Sequence, residues 1–561
     1  MSNKTGFETP TIIRALDVLC PVSIMSFISF SESILNKNRV PFPYISFRTL
    51  DVMLKNIAFM DISQLIRLKL DDKDIVSLYN CAKDTLDKEE DEFINTTLVD
   101  SSHFEGVNSL NAAFIHLTNH QNVKIPDPII IVTNWMRLEY LLNVVALKHE
   151  IDIKSRLPKQ GSITTVMSNL LGTSCRNIYL AVCAFTQSLL ESYKDSPYCS
   201  VLKDCKTKTE YQAVIAQVVN TILTYRKSTA AFLHDVSSLL SNTASQYNLE
   251  QLMNLLSQSI CDFRNNYSTT HQMALSDIPE LQTSSYRYES PLMKYPLVQV
   301  DEHRIIPNFY DLFTCLREFP FRFNEYLDSE LNASTMNTMG LIYEYYIGDL
   351  LDYTLGPERY IIIPEFEYQR NGSVVKSPDF IVIDRIDLHV LVIEVKGTRT
   401  SNVVRDDPAS LRTKVCVDRV RNVLKKTLTK IDELFLFVGD YAKHRELLYR
   451  CNKDKTTILL VQKDFGVMIP SLVHEELAML EPTLSYKCKA FNYCLIDIPF
   501  LETILHNHKA TGKPLINYLR DYHNIQNGQA DKNVSAVNWI PCEYNYKDLI
   551  FLQASKPSNQ G

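Results

Sequence analysis

Apolar residues recur with helical spacing through most of the first half of the chain. They repeat every three or four positions, which predicts amphipathic helices at 50–70, 134–151, 175–193 and 210–241. The stretch 123–133 breaks this pattern with Pro126 and Pro128, and we predict a short buried segment there instead of a helix. Residues 1–285 are therefore expected to form a large, mostly α-helical domain.

The pattern changes at Pro291, after a polar stretch at 265–290. Two short extended runs, 296–300 and 304–307, enclose a polar turn and lead into a helix. We take Pro291 as the start of a second domain, which runs to 466, and residues 467–561 as a C-terminal α/β extension.

A longer helix and a strand follow this lead-in. We predict the helix over 334–356, with Ser334 as its N-cap and Gly356 as its stop. Residues 358–370 read as one strand, and the dipeptide Asn371-Gly372 favours a tight turn into the next strand.

Two almost wholly apolar runs, 380–383 and 390–393, flank the short polar segment 384–388. This arrangement predicts an antiparallel hairpin, and the absence of a polar face predicts that both sides of it are buried. Asp407-Pro408 then supplies an N-cap and a first-turn proline for a helix to about 430. Residues 433–440 read as the next strand, and 456–466 could extend the sheet.

Charged residues stand at one end of the hairpin. Asp379 precedes the first arm, and Glu394 and Lys396 lie two apart near the end of the second, so their side chains should share a face. Buried carboxylates are costly unless they are paired or bind a metal. Oxygen ligands suit Mg²⁺ or Mn²⁺, and we predict a metal site built from Asp379, Glu394 and the carbonyl of Val395.

The sequence Pro378-Asp379, followed by Glu394-Val395-Lys396, resembles the active site of the PD-(D/E)xK nuclease superfamily. The resemblance implies an αβββαβ core, similar to that of restriction endonucleases, in the C-terminal half of the chain. It also implies that Asp379, Glu394, Lys396 and Glu344 are catalytic, with Glu344 joining the metal site from the preceding helix. Lys396 would assist the attacking water. The commonest context of the family implies a bacterial anti-phage or restriction effector.

The predicted helix at 407–430 carries many basic residues and one acid. A basic helix next to a phosphodiesterase centre suits a nucleic-acid backbone, although charge runs are as often simply solvated. The residues predicted to bind nucleic acid are Arg412, Lys414, Arg419, Arg421 and Lys425.

Composition restricts the remaining choices. The 561 residues carry a net charge of −7, so nucleic acid would bind through a local patch and not over the whole surface. The 13 cysteines form no C-x-x-C pair, which indicates reduced thiols and a cytoplasmic protein. No run approaches eighteen uninterrupted apolar residues, so we predict no membrane span, and we find no signal peptide.

These residues predict a divalent-metal-dependent nuclease, and the resemblance to the nuclease superfamily implies DNA as the substrate; the sequence itself does not separate DNA from RNA. The helical first half would sense a partner, position the substrate or support an oligomer. Two alternatives stay open: a ribonuclease using the same site, and a catalytically silent protein that binds nucleic acid or acts as a scaffold.

Overall fold

The fold was analysed in a computed structural model of the chain. It describes residues 19, 22–31, 33–34, 47–59, 80–84, 128–151, 161–194, 226–266, 290–300, 303–370, 372–396, 425–426, 429–430, 456–462, 492–528 and 548–554. Contacts divide these residues into two units. The first lies within Met1–His103, His116–Glu139 and Thr164–Leu327, and the second within Tyr140–Ile163 and Asp328–Gly561. The division differs from the segments suggested by the sequence, because the 290–327 region packs with the helices of the first unit.

Helices make up most of the first unit. Their bounds are Val22–Ser31, Phe47–Phe59, Pro128–Tyr140, Ile163–Leu171, Cys175–Lys194, Arg226–Gln246, Glu250–Leu255 and Phe309–Arg322. Two terminal residues of these helices, Tyr140 and Ile163, belong to the second unit. The prediction of a non-helical segment at 123–133 was wrong from Pro128 onward, since a helix begins at that residue. Proline has no N–H to offer, and the first turn of a helix requires none.

Aromatic rings form much of the core of the first unit. Trp135 stacks on Phe319 at 5.2 Å between ring centroids, and its indole N–H donates to the carbonyl of Leu316 at 2.9 Å. Phe30 contacts Phe313 at 4.4 Å. The 309–322 helix is thus part of this core and not of the second domain, where its sequence position had suggested it would lie.

A small sheet completes the first unit. It contains β1 (Ser257–Ser259), β2 (Leu297–Val300) and β3 (His303–Ile305). Strands β1 and β2 run parallel, whereas β2 and β3 are antiparallel, as the two extended runs around a polar turn predicted.

Seven strands lie in the described part of the second unit. They are β4 (Tyr360–Pro364), β5 (Glu367–Arg370), β6 (Ser373–Lys376), β7 (Phe380–Asp384), β8 (His389–Lys396), β9 (Thr456–Gln462) and β10 (Asn492–Asp497). Five of them form a sheet in the order β10-β9-β8-β7-β4, and β5 and β6 pair separately. The β7–β8 hairpin is antiparallel, as predicted, and β8, β9 and β10 run parallel to one another.

Two features of this unit correct the sequence predictions. Residues 358–370 form two strands, β4 and β5, and the turn at Gly372 joins β5 to β6 and not to the Asp379 strand. The predicted strand at 433–440 lies outside the described residues, whereas β9, within the predicted run 456–466, does extend the sheet and pairs with β8. Strand β10, assigned by sequence to the C-terminal extension, joins the same sheet.

Helices flank this sheet. The π-helical turn Leu141–Val145 and the short helix Ala146–Lys148 precede Ser329–Thr354, Ile498–Thr511, Leu515–Gly528 and Ile550–Ala554. Ser329–Thr354 begins earlier than predicted because Asp328, and not Ser334, caps it by accepting a hydrogen bond from the N–H of Leu331 at 2.9 Å.

One described helix, Pro128–Lys148, is long and apolar enough to cross a membrane, judged by its length and composition alone. In its most apolar window, 56% of the residues are buried within the protein. A helix in the core of a protein passes the same test, so this is weak support for a membrane span.

Candidate active site

A short loop fixes the position of Asp379 at the start of β7. After the β5–β6 hairpin, the N–H of Ser377 donates to the carbonyl of Phe366 at 2.9 Å, and the Ser377 hydroxyl accepts the N–H of Phe366 at 3.0 Å. Ser377 is completely buried. This pair of hydrogen bonds closes the base of the hairpin and leads the chain directly into Asp379.

Asp379 and Glu394 meet at one end of the β7–β8 ladder. Phe380 lies opposite Ile393, which sets Asp379 beside Glu394 on the neighbouring strand. The Asp379 carboxylate accepts the backbone N–H of Val395 at 2.6 Å. Both acids are buried, with 7% of Asp379 and 1% of Glu394 exposed. The structure thus brings together the two carboxylates that the sequence singled out.

Burial dominates the electrostatics of Asp379. The pKa of this carboxyl group is raised from 3.8 to about 7, mainly because burial removes water from the charged form; the charge of Glu394 adds to this rise, and the hydrogen bond from Val395 opposes it. Glu344 also contributes to the rise. The site therefore resists carrying all of its negative charges at once.

Glu344 approaches the same site from the Ser329–Thr354 helix. Gly348, one turn further along, packs against the ring of Phe380, so the helix runs directly beside the start of β7. Burial is the main cause of a raised pKa for Glu344, and the charges of Glu365 and Glu394 add to it. Glu344 therefore lies within electrostatic range of Glu394.

Lys430 supplies a cation that the sequence had assigned only to a basic helix surface. Its ammonium lies 2.9 Å from Oε1 and 3.2 Å from Oε2 of Glu394. Burial lowers the pKa of Lys430, but the attraction and hydrogen bond of Glu394, together with the charges of Asp379 and Glu365, outweigh burial and the pKa is raised. Nothing in the local sequence marks which lysine of the 412–430 segment reaches Glu394, since 36 residues separate the partners.

A second ion pair lies at the edge of the site. The ammonium of Lys376 at the end of β6 lies 2.6 Å from Oε1 of Glu365, in the β4–β5 connection. Lys376 lowers the pKa of Glu344, in opposition to Glu365. Sequence analysis did not single out this pair, because neither residue belongs to a pattern.

Several predicted site residues lie wholly or partly outside the described part of the chain. Lys396 ends β8 opposite Gln462, and only its backbone is described. Arg412, Lys414, Arg419 and Arg421 lie outside the described residues. Lys425 is helical and exposed, which suits the predicted contact with a phosphate backbone.

The donor set suits a hard divalent cation in its chemistry. Asp379 and Glu394 offer carboxylate oxygens, Val395 a carbonyl, and Glu344 a third carboxylate nearby. The pKa values of Asp379 and Glu344 are raised, and Glu394 is paired with Lys430. A divalent cation would neutralise the negative charge of these carboxylates. As placed, however, no three His, Cys, Asp or Glu residues of the described part are grouped to hold a metal. The residues present are of the chemical types that bind Mg²⁺ or Mn²⁺. In this structure Glu394 instead forms an ion pair with Lys430.

Comparison with known proteins adds no relative: no family model, no curated protein and no solved structure matches this chain.

Proposed function

We propose that this protein is a divalent-metal-dependent nuclease that hydrolyses phosphodiester bonds, with DNA favoured over RNA. The observation that carries the proposal is the buried Asp379–Glu394 pair at the end of two neighbouring strands, with more negative charge than burial readily tolerates. Residues that serve only the fold rarely concentrate unbalanced charge in this way, whereas sites of catalysis do.

The residues of the chain would divide the work as follows. Asp379, Glu394 and the Val395 carbonyl would hold Mg²⁺ or Mn²⁺, and Glu344 would support the same or a second ion. A bound divalent ion would activate water and neutralise phosphate charge. The Val395 N–H orients Asp379, so that its other oxygen can face the ligand. Lys396 would assist the attacking water, and Lys425 would contact the nucleic-acid backbone.

One observation favours a second candidate, a nucleic-acid-binding scaffold without turnover. The ion pair between Lys430 and Glu394 already compensates the most buried carboxylate of the site. A structural ion pair would look the same, and a scaffold would have no need to exchange it for a metal. Metal binding therefore separates the two candidates.

Cleavage assays test the first candidate. Double-stranded DNA, single-stranded DNA and structured RNA would be incubated with Mg²⁺, Mn²⁺ or EDTA and the wild-type protein, Glu394→Ala or Lys396→Ala. Glu358→Ala is the matched control, because Glu358 is exposed and precedes β4 at the far end of the sheet. We expect metal-dependent cutting by the wild type and the control, and loss of cutting in the other two variants.

The substrate that is cut also separates deoxyribonuclease from ribonuclease. Should no form cut any substrate, calorimetric titration with Mn²⁺ decides between an enzyme that awaits a trigger and a scaffold. A wild-type protein that binds no Mn²⁺ would overturn the proposal.

A further inference from the structure

Lys430 and a metal ion would need the same atoms. The Lys430 ammonium donates to both carboxylate oxygens of Glu394, at 2.9 and 3.2 Å. Glu394 is 1% exposed, so it offers few other directions of approach. A divalent cation on Glu394 would stand next to a positive ammonium in a place with little water to screen the repulsion. The two cations therefore exclude each other.

The charges described around Glu394 explain why an exchange is favourable. Asp379 and Glu344 lie within electrostatic range, and both have raised pKa values, whereas Glu365 has its own partner in Lys376. The single positive charge of the Lys430 ammonium cannot balance the negative charges of Asp379, Glu344 and Glu394. The double charge of a divalent cation balances more of them. Lys430 also has a route away, because 27% of its side chain is exposed.

We propose that Lys430 is the resident counter-ion of Glu394 in the metal-free protein, and that a divalent cation displaces it. This inference rests on the proposed function, since it presumes that the carboxylates bind a metal. The displaced ammonium would stand at the edge of the site, where it can pair with a substrate phosphate. Lys430 is thus a positioning residue that sets the affinity of the site for metal.

Calorimetric titration with Mn²⁺ in the absence of nucleic acid, at pH 8.5, tests the competition. Lys430→Met removes the competing charge and should bind Mn²⁺ about tenfold more tightly than the wild type, the equivalent of one hydrogen bond to a charged group. Lys430→Arg keeps the charge and should stay within about threefold of the wild type. Lys513→Met is the matched control and should bind Mn²⁺ like the wild type, because Lys513 pairs with exposed Asp521 and takes no part in the candidate site.

A second measurement uses only the wild-type protein and so does not depend on how well a variant folds. Acylation of lysines by an amine-selective reagent, followed by peptide mass spectrometry, should show faster modification of Lys430 when Mn²⁺ is present. Exposed Lys425, five residues earlier, is the internal control and should react at the same rate with and without Mn²⁺.

The possible failures are distinguishable. If the wild type binds Mn²⁺ but Lys430→Met binds no more tightly, or if saturating Mn²⁺ leaves the acylation of Lys430 unchanged, the inference is overturned and the proposed function survives. Equal tightening in the Met and Arg variants would also overturn it, because charge would not be the cause. If the wild type binds no Mn²⁺, the proposed function fails and the inference fails with it.

Discussion

The carboxylate of Asp379 accepts the backbone N–H of Val395 at 2.6 Å, across the boundary between β7 and β8. This hydrogen bond holds the buried carboxylate of Asp379 beside Glu394. The Val395 carbonyl, another proposed metal ligand, belongs to the residue next to Glu394 in β8. The hydrogen bond links the two halves of the candidate metal site through the sheet itself. The position of Asp379 therefore depends on the β7–β8 pairing as well as on its own loop.

Asp379→Asn separates the charge of this residue from its hydrogen bond. The amide oxygen can still accept the Val395 N–H, while the charge that burial and Glu394 disfavour is gone. We expect the free energy of unfolding at pH 8 to rise by on the order of 2 kcal/mol. Mn²⁺ binding should weaken at least about tenfold. Denaturant unfolding and calorimetry measure the two effects, and a destabilised variant that binds Mn²⁺ normally would contradict both expectations.

The raised pKa of Asp379 predicts that the free energy of unfolding depends on pH. Asp379 has a folded pKa of about 7 against a reference value of 3.8, so the folded protein binds its proton more tightly than the unfolded chain does. The resulting stabilisation is fully present below about pH 4 and is lost as the pH rises through 7. Between these limits we expect a loss of up to about 1.4 kcal/mol per pH unit.

Urea unfolding in EDTA at pH 4.5, 6 and 8 checks this dependence. The wild type should lose stability relative to Asp379→Asn across this range, because the variant has no carboxyl group to titrate at this position. Parallel curves for the two proteins would show that Asp379 does not titrate as expected.

Two glycines of the Ser329–Thr354 helix form a matched pair. A Cβ at Gly340 would meet nothing within 4 Å, whereas one at Gly348 would lie 3.2 Å from the ring of Phe380. Gly340→Ala should therefore stabilise the protein by up to about 1 kcal/mol through helix propensity. Gly348→Ala should gain less or lose stability, because the ring beside Asp379 must move. Thermal unfolding compares them, and equal gains would show that this helix does not pack closely on β7.

Arg359 forms an ion pair that should stabilise the fold without affecting metal binding. Its guanidinium donates twice to Oδ2 of buried Asp384, at 2.9 and 2.7 Å, and once to Asp387 at 2.6 Å. Arg359→Met would leave Asp384 poorly compensated and should cost about 2–4 kcal/mol of unfolding free energy. Mn²⁺ affinity should stay unchanged, because Asp384 lies at the opposite end of β7 from Asp379.

Arg359→Lys is the companion variant. It keeps the positive charge but loses the fork that makes two bonds to one oxygen, so its stability should fall between those of the wild type and the Met variant. A Met variant as stable as the wild type would mean that this ion pair contributes nothing to the hairpin.

Local sequence determined the elements whose causes are local. The β7–β8 hairpin could be predicted because two apolar runs flank a polar turn, and the carboxylates stood out because they interrupt those runs. The start of the Glu344 helix was missed because its cap, Asp328, precedes the predicted N-cap by six residues and begins a polar first turn without an apolar stripe. The break between β4 and β5 was missed as well, since it is stabilised by the contact between Phe366 and Ser377.

Only the tertiary structure decided which charges meet. Sequence spacing placed Glu394 near Asp379 and Lys396, but it left Lys430 as one more basic residue at the end of the predicted 407–430 helix. The fold instead brings the Lys430 ammonium onto Glu394 across 36 residues, and it makes β9 the neighbour of β8. Such pairings depend on burial and on the balance of charge in three dimensions. No periodicity along the chain encodes them, whereas helix and strand patterns reflect the geometry of neighbouring residues.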